Sequence, residues 1–274
     1  MHLTRLLPAL LGFLIHSPAH AIGKELVIGL QPTQPIRALI ARHEPLANYL
    51  RQELDRPVRL VSAKNSQVFG QRMLAGDYEL ALAPAHFARL VQRERGWHPL
   101  VRYDHPLPVF LLSRQTETEL MLADLKNKIL AVPDSAMLVT VASEHWLAQQ
   151  QLLAGRDYTL LVADGYASTV HVLISGQADM AVGALGGIGQ ARPEEIQQLR
   201  IVKEMGSIPR LVFVARHDMT AQKRATLQRA LLAFRSPTAE PLSVVGKDDL
   251  AEVDAYLPET RARLKAQDIL QRMR

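Results

Sequence analysis

Two stretches set one hundred positions apart constrain this chain more than any other feature. Setting "MLAGDYELALAP" beside "VLISGQADMAVGA" aligns Gly76 with Gly176, Glu79 with Asp179 and Ala81 with Ala181, and Val61 against Leu161 keeps the same offset. Each stretch closes the same run of patterns. In the first, "ELVIGLQP" is a β-rich run ending at Pro32, and "LIARHEPLANYLRQEL" carries Leu39, Leu46, Leu50 and Leu54 at helical spacing. A strand "RPVRLVSA", a helix "SQVFGQRMLAG" stopped by Gly76, and a strand "YELALAP" follow. In the second, "KILAVPDS", "MLVTVASEHWLAQQQLL", "YTLLVAD", "ASTVHVLISG" and "ADMAVGA" repeat that order. A glycine just past the last helical residue is a helix stop, because it adopts the left-handed conformation at no steric cost. Short apolar strands alternating with helices require right-handed crossovers and a largely parallel sheet covered on both faces. The pattern therefore predicts an α/β chain with two Rossmann-like lobes.

What lies outside the two units is too short for a third. "IPRLVFVAR" and the helices from Thr220 onward are expected to return and complete the first lobe. "PVFLLSR" (108–114) and "IPRLVFVAR" (208–216) are then the expected crossing strands. This places lobe I over 22–112 and 207–274, and lobe II over 113–206. The first 21 residues read differently. Arg5, an apolar run from Leu6 to Ile15 and the small-x-small site Ala19-His20-Ala21 have the layout of a signal peptide cleaved after Ala21, which implies export to the periplasm. Pro8, Gly12 and Pro18 argue against a buried helix there. No later run approaches the eighteen or so apolar residues of a membrane span.

There is no cysteine, which excludes disulfides, a thiolate nucleophile and cysteine-based metal sites. Stability rests on the core, which a 48% hydrophobic composition can fill. The net charge of +5, one less without Arg5, is spread through mixed-sign runs such as "RERGW" and "TRARLKAQD". Those are solvated helix faces rather than a nucleic-acid groove, and 5% aromatic residues offer little for base stacking. A mild positive potential favours small anions.

In open α/β sheets ligands sit beyond the carboxyl ends of the strands, so the strand-to-helix corners are the candidate site. At "VPDSAM", Pro133 and Asp134 stop the strand, Ser135 is a good N-cap and the helix is expected from Ala136. Free N–H groups and the positive end of the helix dipole suit an anion there, while Asp134 or Ser135 equally well serves only as a cap. At "APAHFARL", Pro84 ends a strand and His86 stands near a helix start, placed either to donate to an anion or to play a structural part. "DGYAST" offers Tyr166 and Ser168, as contacts or as an ordinary turn with a capping serine. Gln31, Thr33 and Gln34 add uncharged polar groups at the first corner, where loop polarity alone also accounts for them.

Catalytic signatures are missing. "HEPLA" lacks the second histidine of the helical zinc motif, because position 47 is Ala. Neither a Gly-x-Ser-x-Gly elbow nor a Ser-x-x-Lys occurs, and the ten histidines show no metal-ligand spacing. "GALGGIGQ" (183–190) lacks dinucleotide spacing and reads as a flexible connection between lobes. An exported hydrolase using His86 or Asp134 would need a nucleophile and base that no recognisable spacing supplies.

Taken together, "VIGLQPT", "HEPLANYLRQELDRPVRLVSA", "FGQRMLAGDYELALAPAHFARL", "LADLKNKILAVPDSAMLVTVASEHWL", "GYASTVHVLISGQADMAVG" and "GSIPRLVFVARHDM" resemble the type II periplasmic solute-binding proteins of the phosphate/phosphite/phosphonate group, the capture subunits of ABC importers. The resemblance covers nearly the whole chain after residue 21. It implies a type II periplasmic-binding-protein fold without catalysis, cofactor or metal, and a monomer whose lobes close about a hinge on a small ligand. It implies a membrane partner too, an ABC permease, or alternatively a sensor kinase served by a ligand sensor or a scaffold that binds only another protein. The ligand would be held by Gln31, Thr33, Gln34, Pro84, His86, Asp134, Ser135, Ala136, Met137, Tyr166 and Ser168. Phosphonate-binding members carry a Ser/Thr-rich turn ending in glycine where this chain has Ser135-Ala136-Met137-Leu138. They carry a histidine and an aspartate where it has Tyr166-Ala167, and an acidic contact near Ala184. The substitutions predict a ligand less charged than a phosphonate or partly apolar, such as a small organic anion.

Overall fold

The computed structural model describes residues 24–237, 240–246 and 248–272, with side chains as far as residue 265. The expected signal segment and its cleavage after Ala21 lie outside the described residues.

The chain runs β1 (Leu26–Leu30), α1 (Ile36–Leu54), β2 (Val58–Val61), α2 (Ser66–Ala75), β3 (Leu80–Pro84), α3 (Ala85–Arg95) and β4 (His98–Tyr103). It continues through β5 (Leu107–Arg114), β6 (Ile129–Pro133), α4 (Leu138–Gln149), β7 (Thr159–Ala163), α5 (Tyr166–Ile174), β8 (Met180–Ala184), α6 (Leu185–Ile188), α7 (Pro193–Ile196) and β9 (Leu199–Ile208). It ends with β10 (Leu211–Ala215), α8 (Ala221–Ala233), β11 (Leu242–Val244) and, after a 3-10 turn over Ala251–Tyr256, α9 (Leu257–Arg272). These form two sheets, ordered β11-β4-β10-β3-β1-β2 and β7-β6-β8-β5-β9. Strands β1, β2 and β3 are parallel in the first sheet and β6, β7 and β8 in the second, while β10 and β5 pair antiparallel with β3 and β8. This is the expected α/β architecture of two Rossmann-like lobes.

Local chemistry explains the elements. α1 buries Leu39, His43, Leu46, Ala47 and Leu50, a single stripe at helical spacing. α2 is capped at its start by the Asn65 side chain, which accepts from the Val68 N–H at 2.9 Å, and at its end by Gly76 with φ 83°. The internal repeat is physical. Gly176 has φ 79°, and the N–H groups of Glu79 and Asp179 donate to Val27 and Ile129 at 3.1 and 2.9 Å, tying each third strand to its first.

The crossings differ from expectation. β5 pairs within the second sheet along its whole length, with β8 on one side and β9 on the other. The boundary expected between 112 and 113 therefore falls inside a strand. The lobes are joined instead by short segments, Asp104–Pro106 and Pro209–Arg210, and β9 stays in the second sheet as far as Ile208. Proline explains both positions, since it cannot donate to a ladder and ends a strand cheaply. Phe69, Phe87 and Trp97 of the first lobe and Val132, Met137 and Leu138 of the second belong to one buried cluster, so the core continues from lobe to lobe.

Candidate functional site

The corners beyond the strand ends of both lobes enclose a cavity of about 420 Å³. The first lobe supplies Gln31, Thr33 and Gln34 after β1, Leu39, Arg42 and His43 from α1, Pro84 at the end of β3, Tyr103, and Glu240. The second supplies Met137, Leu138 and Val139 at the start of α4, Tyr166 at the start of α5, and Leu185 to Gly187 in α6. The crossing segment Pro209–Arg210 closes one side.

Uncharged polar groups face this space beside the charged Arg42, Arg210 and Glu240. Gln31 is buried, donates from Nε2 to Ser66 Oγ at 2.8 Å, and leaves Oε1 without a partner. The His43 Nδ1–H donates to the Leu39 carbonyl at 2.9 Å, and burial lowers its pKa, so a neutral ring offers Nε2 as an acceptor. Tyr166 is half-buried, and desolvation of its phenol pushes the pKa up. Its hydroxyl carries no hydrogen bond among the described residues. The N–H groups of Leu138 and Val139, in the first turn of α4, have no hydrogen-bond acceptor either. Leu39, Leu82, Tyr103, Met137, Leu185 and Ile208 make most of the remaining wall apolar.

The corner "VPDSAM" is built otherwise than expected. Asp134 has φ 54°, its Oδ1 accepts from the Ala136 N–H at 2.9 Å, and its carbonyl accepts from the Met137 N–H at 3.3 Å. Asp134 thus folds the chain into a side-chain-closed turn, and α4 starts at Leu138 instead of Ala136, with no side-chain cap. Asp134 Oδ2 accepts from the Ser66 N–H at 2.8 Å, so a carboxylate of the second lobe sits on the first turn of α2 in the first. His86 donates its Nε2–H to the Ala136 carbonyl at 3.1 Å, again from lobe to lobe. Complete burial, slightly offset by that bond, pulls its pKa down to about 3, so the ring is neutral, and Nδ1 has no partner. Arg263 of α9 donates to the Ser135 carbonyl and pairs with Glu144 at 2.8 Å.

Of the residues expected to hold a ligand, Gln31, Thr33, Gln34, Pro84, Met137 and Tyr166 come together around the cavity. His86, Asp134, Ser135 and Ala136 do not line it. They form a hydrogen-bonded seam between the lobes, in which His86 bonds the Ala136 carbonyl, Asp134 accepts from the Ser66 and Ala136 N–H groups, and the Ser135 carbonyl accepts from Arg263. Ser168 neither lines the cavity nor caps α5; Gly165 is the cap residue, and its carbonyl accepts from Thr169 Oγ1 at 2.9 Å.

Sequence reasoning missed Arg42, His43, Tyr103, Arg210 and Glu240. It also misread "GALGGIGQ", which forms the end of β8 and α6 against the cavity and connects nothing between lobes. The repeat held the signal for that segment, since the offset that pairs Gly76 with Gly176 pairs Pro84 with Ala184. Among the described residues no three His, Asp or Glu side chains are close enough to hold a metal ion, and no helix is long and apolar enough to cross a membrane.

A family profile described as "ABC transporter, phosphonate, periplasmic substrate-binding protein" matches residues 28–256. No curated protein matches the sequence. Among solved structures, PhnD1 from Prochlorococcus marinus in complex with methylphosphonate superposes with a TM-score of 0.76 at 14% identity, covering 87% of this chain and 98% of that one. A binding-protein component of an ABC phosphonate transporter from Pseudomonas aeruginosa gives 0.75 at 12% identity, covering 87% of each chain. A Xanthomonas citri protein bound to chloride gives 0.72 at 16% identity, covering 87% and 99%. At these identities the likeness speaks to the fold, and it is the type II periplasmic-binding-protein fold. The profile spans most of the chain, and the chain accordingly belongs to the phosphonate-type periplasmic substrate-binding proteins of ABC transporters, a family that presents a small-molecule ligand to a membrane permease.

Proposed function

We propose that this protein captures a small organic molecule, singly anionic or polar and partly apolar, in the inter-lobe cavity and delivers it as a monomer to the permease of an ABC importer. Removal of residues 1–21 after Ala21 would release it into the periplasm, and closure of the lobes about Asp104–Pro106 and Pro209–Arg210 would enclose the ligand. The observation that carries the ligand class is the wall at the start of α4. Met137 and Leu138 stand there, and the only polar groups are backbone N–H groups. A phosphonate dianion would find few charge-assisted hydrogen bonds at that end, each contributing about 1.5–3 kcal/mol where present. A ligand with one polar end and an apolar body would meet both Gln31, Gln34 and Tyr166 and the apolar Leu39, Met137 and Leu185 in this wall.

Thermal unfolding of residues 22–274 against phosphate, methylphosphonate, sulfate, mono- and dicarboxylates and neutral metabolites tests this. A ligand at a hundred times its dissociation constant adds about 2.7 kcal/mol, a shift of a few degrees for a chain of this size. Shifts confined to monoanions or neutral amphiphiles support the reading. A larger shift with methylphosphonate than with any carboxylate would overturn it.

A further inference from the structure

On the first-lobe side of the cavity, two guanidinium groups converge on one carboxylate. Glu240 Oε1 accepts from Arg42 Nη2 at 3.0 Å, and Oε2 accepts from Arg210 Nη1. Arg210 is well anchored, with its guanidinium 5.1 Å from the centre of the Tyr103 ring and its side chain only 20% exposed. Arg42, Arg210, Tyr103 and Glu240 all line the cavity. With His43 neutral, the ionisable groups of the wall leave one net positive charge.

Two facts make this cluster more than a surface ion pair. Arg42 and Glu240 are partly exposed, and pairs of that kind are weak and readily exchanged for a competing carboxylate. The guanidinium fork suits a carboxylate, and the carboxylate it holds belongs to the protein. We propose that Glu240 is a tethered counter-ion that reserves the Arg42–Arg210 pair for the single negative charge of an entering ligand, and so determines specificity against dianions. This rests on the cavity being the ligand site and names the charge of what enters it.

The selection follows from charge counting. A displaced Glu240 stays tethered beside the pair. A monoanion and Glu240 together then balance two guanidiniums, whereas a dianion and Glu240 leave one negative charge in excess in a partly desolvated space.

Hexanoate and adipate share a six-carbon chain and differ in charge, and their binding to the parent and to Glu240→Gln, by calorimetry at pH 7.5 and low salt, tests the proposal. The glutamine keeps the size and an acceptor oxygen but removes the charge. We expect the parent to prefer hexanoate. The variant should bind adipate at least tenfold tighter than the parent does, with a smaller gain for hexanoate. An adipate-to-hexanoate ratio unchanged within twofold in a variant with parental circular dichroism would overturn the proposal. If the parent binds neither acid and the variant binds adipate, the counter-ion role stands and the proposed ligand class fails. If neither protein binds either acid, the freed guanidinium pair is no anion site and the proposal fails with it.

Discussion

The His86 imidazole is fully buried against the Phe87 ring, with one nitrogen bonded to the Ala136 carbonyl and the other without a partner among the described residues. Its pKa is pulled from 6.5 to about 3 by burial, which sets a pH dependence with a definite sign. The unfolded chain takes up the proton near pH 6.5 and the folded chain does not until near 3. Stability from His86 is therefore present above 6.5 and lost as pH falls from 6.5 toward 3, at about 1.4 kcal/mol per pH unit. His43, also lowered by burial, acts in the same direction. Urea unfolding between pH 7.5 and 5, a window above ordinary carboxylate titration, should show this decline, and His86→Asn should flatten it. An unaltered slope in that variant would show that His86 does not carry the effect. The sequence placed His86 at a helix start beside a strand end and allowed it a structural part, but did not show its partner in the other lobe. Its partner lies fifty residues away in the other lobe, and Ser66 and Asp134 are farther apart still. Corner positions such as Gln31 and Tyr166 were legible because strand ends mark themselves locally. Arg42, Arg210 and Glu240 were not, because only the packed lobes bring them together.

At the scale of elements, α6 and α5 meet at one close contact. A Cβ on Gly187 would come 2.4 Å from the Tyr166 ring, so that glycine is what lets the phenol reach the cavity wall. Gly187→Ala should displace the ring and cost about 1–3 kcal/mol by overpacking, seen as a lower Tm and altered near-UV circular dichroism. Gly186→Ala, whose nearest neighbour would be Leu107 at 3.8 Å, is the matching control and should be tolerated. Equal effects of the two would show that the contact is not what holds Tyr166. The same elements show what a single sequence can and cannot reveal. Strands, helices and the two-lobe repeat were readable because each unit carries its own periodicity and its own glycine stop. The crossings were misplaced by several residues because β5 is apolar from Leu107 to Leu112 and looks the same in either lobe. Pro106 and Pro209 were the overlooked punctuation.

At the scale of the molecule, beside one cluster confined to each lobe, around Leu50 and Phe213 in the first and Leu173 and Ala181 in the second, a shared cluster joins Phe69, Phe87 and Trp97 to Val132, Met137 and Leu138. With the Asp134 and His86 seam it couples their stabilities. Scanning calorimetry of residues 22–274 should give one transition, with calorimetric and van't Hoff enthalpies in agreement. Two resolved transitions would show the lobes to be independent. The strand order has a further consequence, in time rather than in space. The second sheet is made wholly of residues 107–208, and its first and last strands lie side by side, with Leu107 opposite Ile208. In the first sheet β4 touches β3 only through β10, which comes more than a hundred residues later. A chain that emerges from its N-terminus, at a ribosome or through a membrane pore, can finish its second sheet while β4 of the first still lacks both neighbours. The half that begins first is the half that must wait.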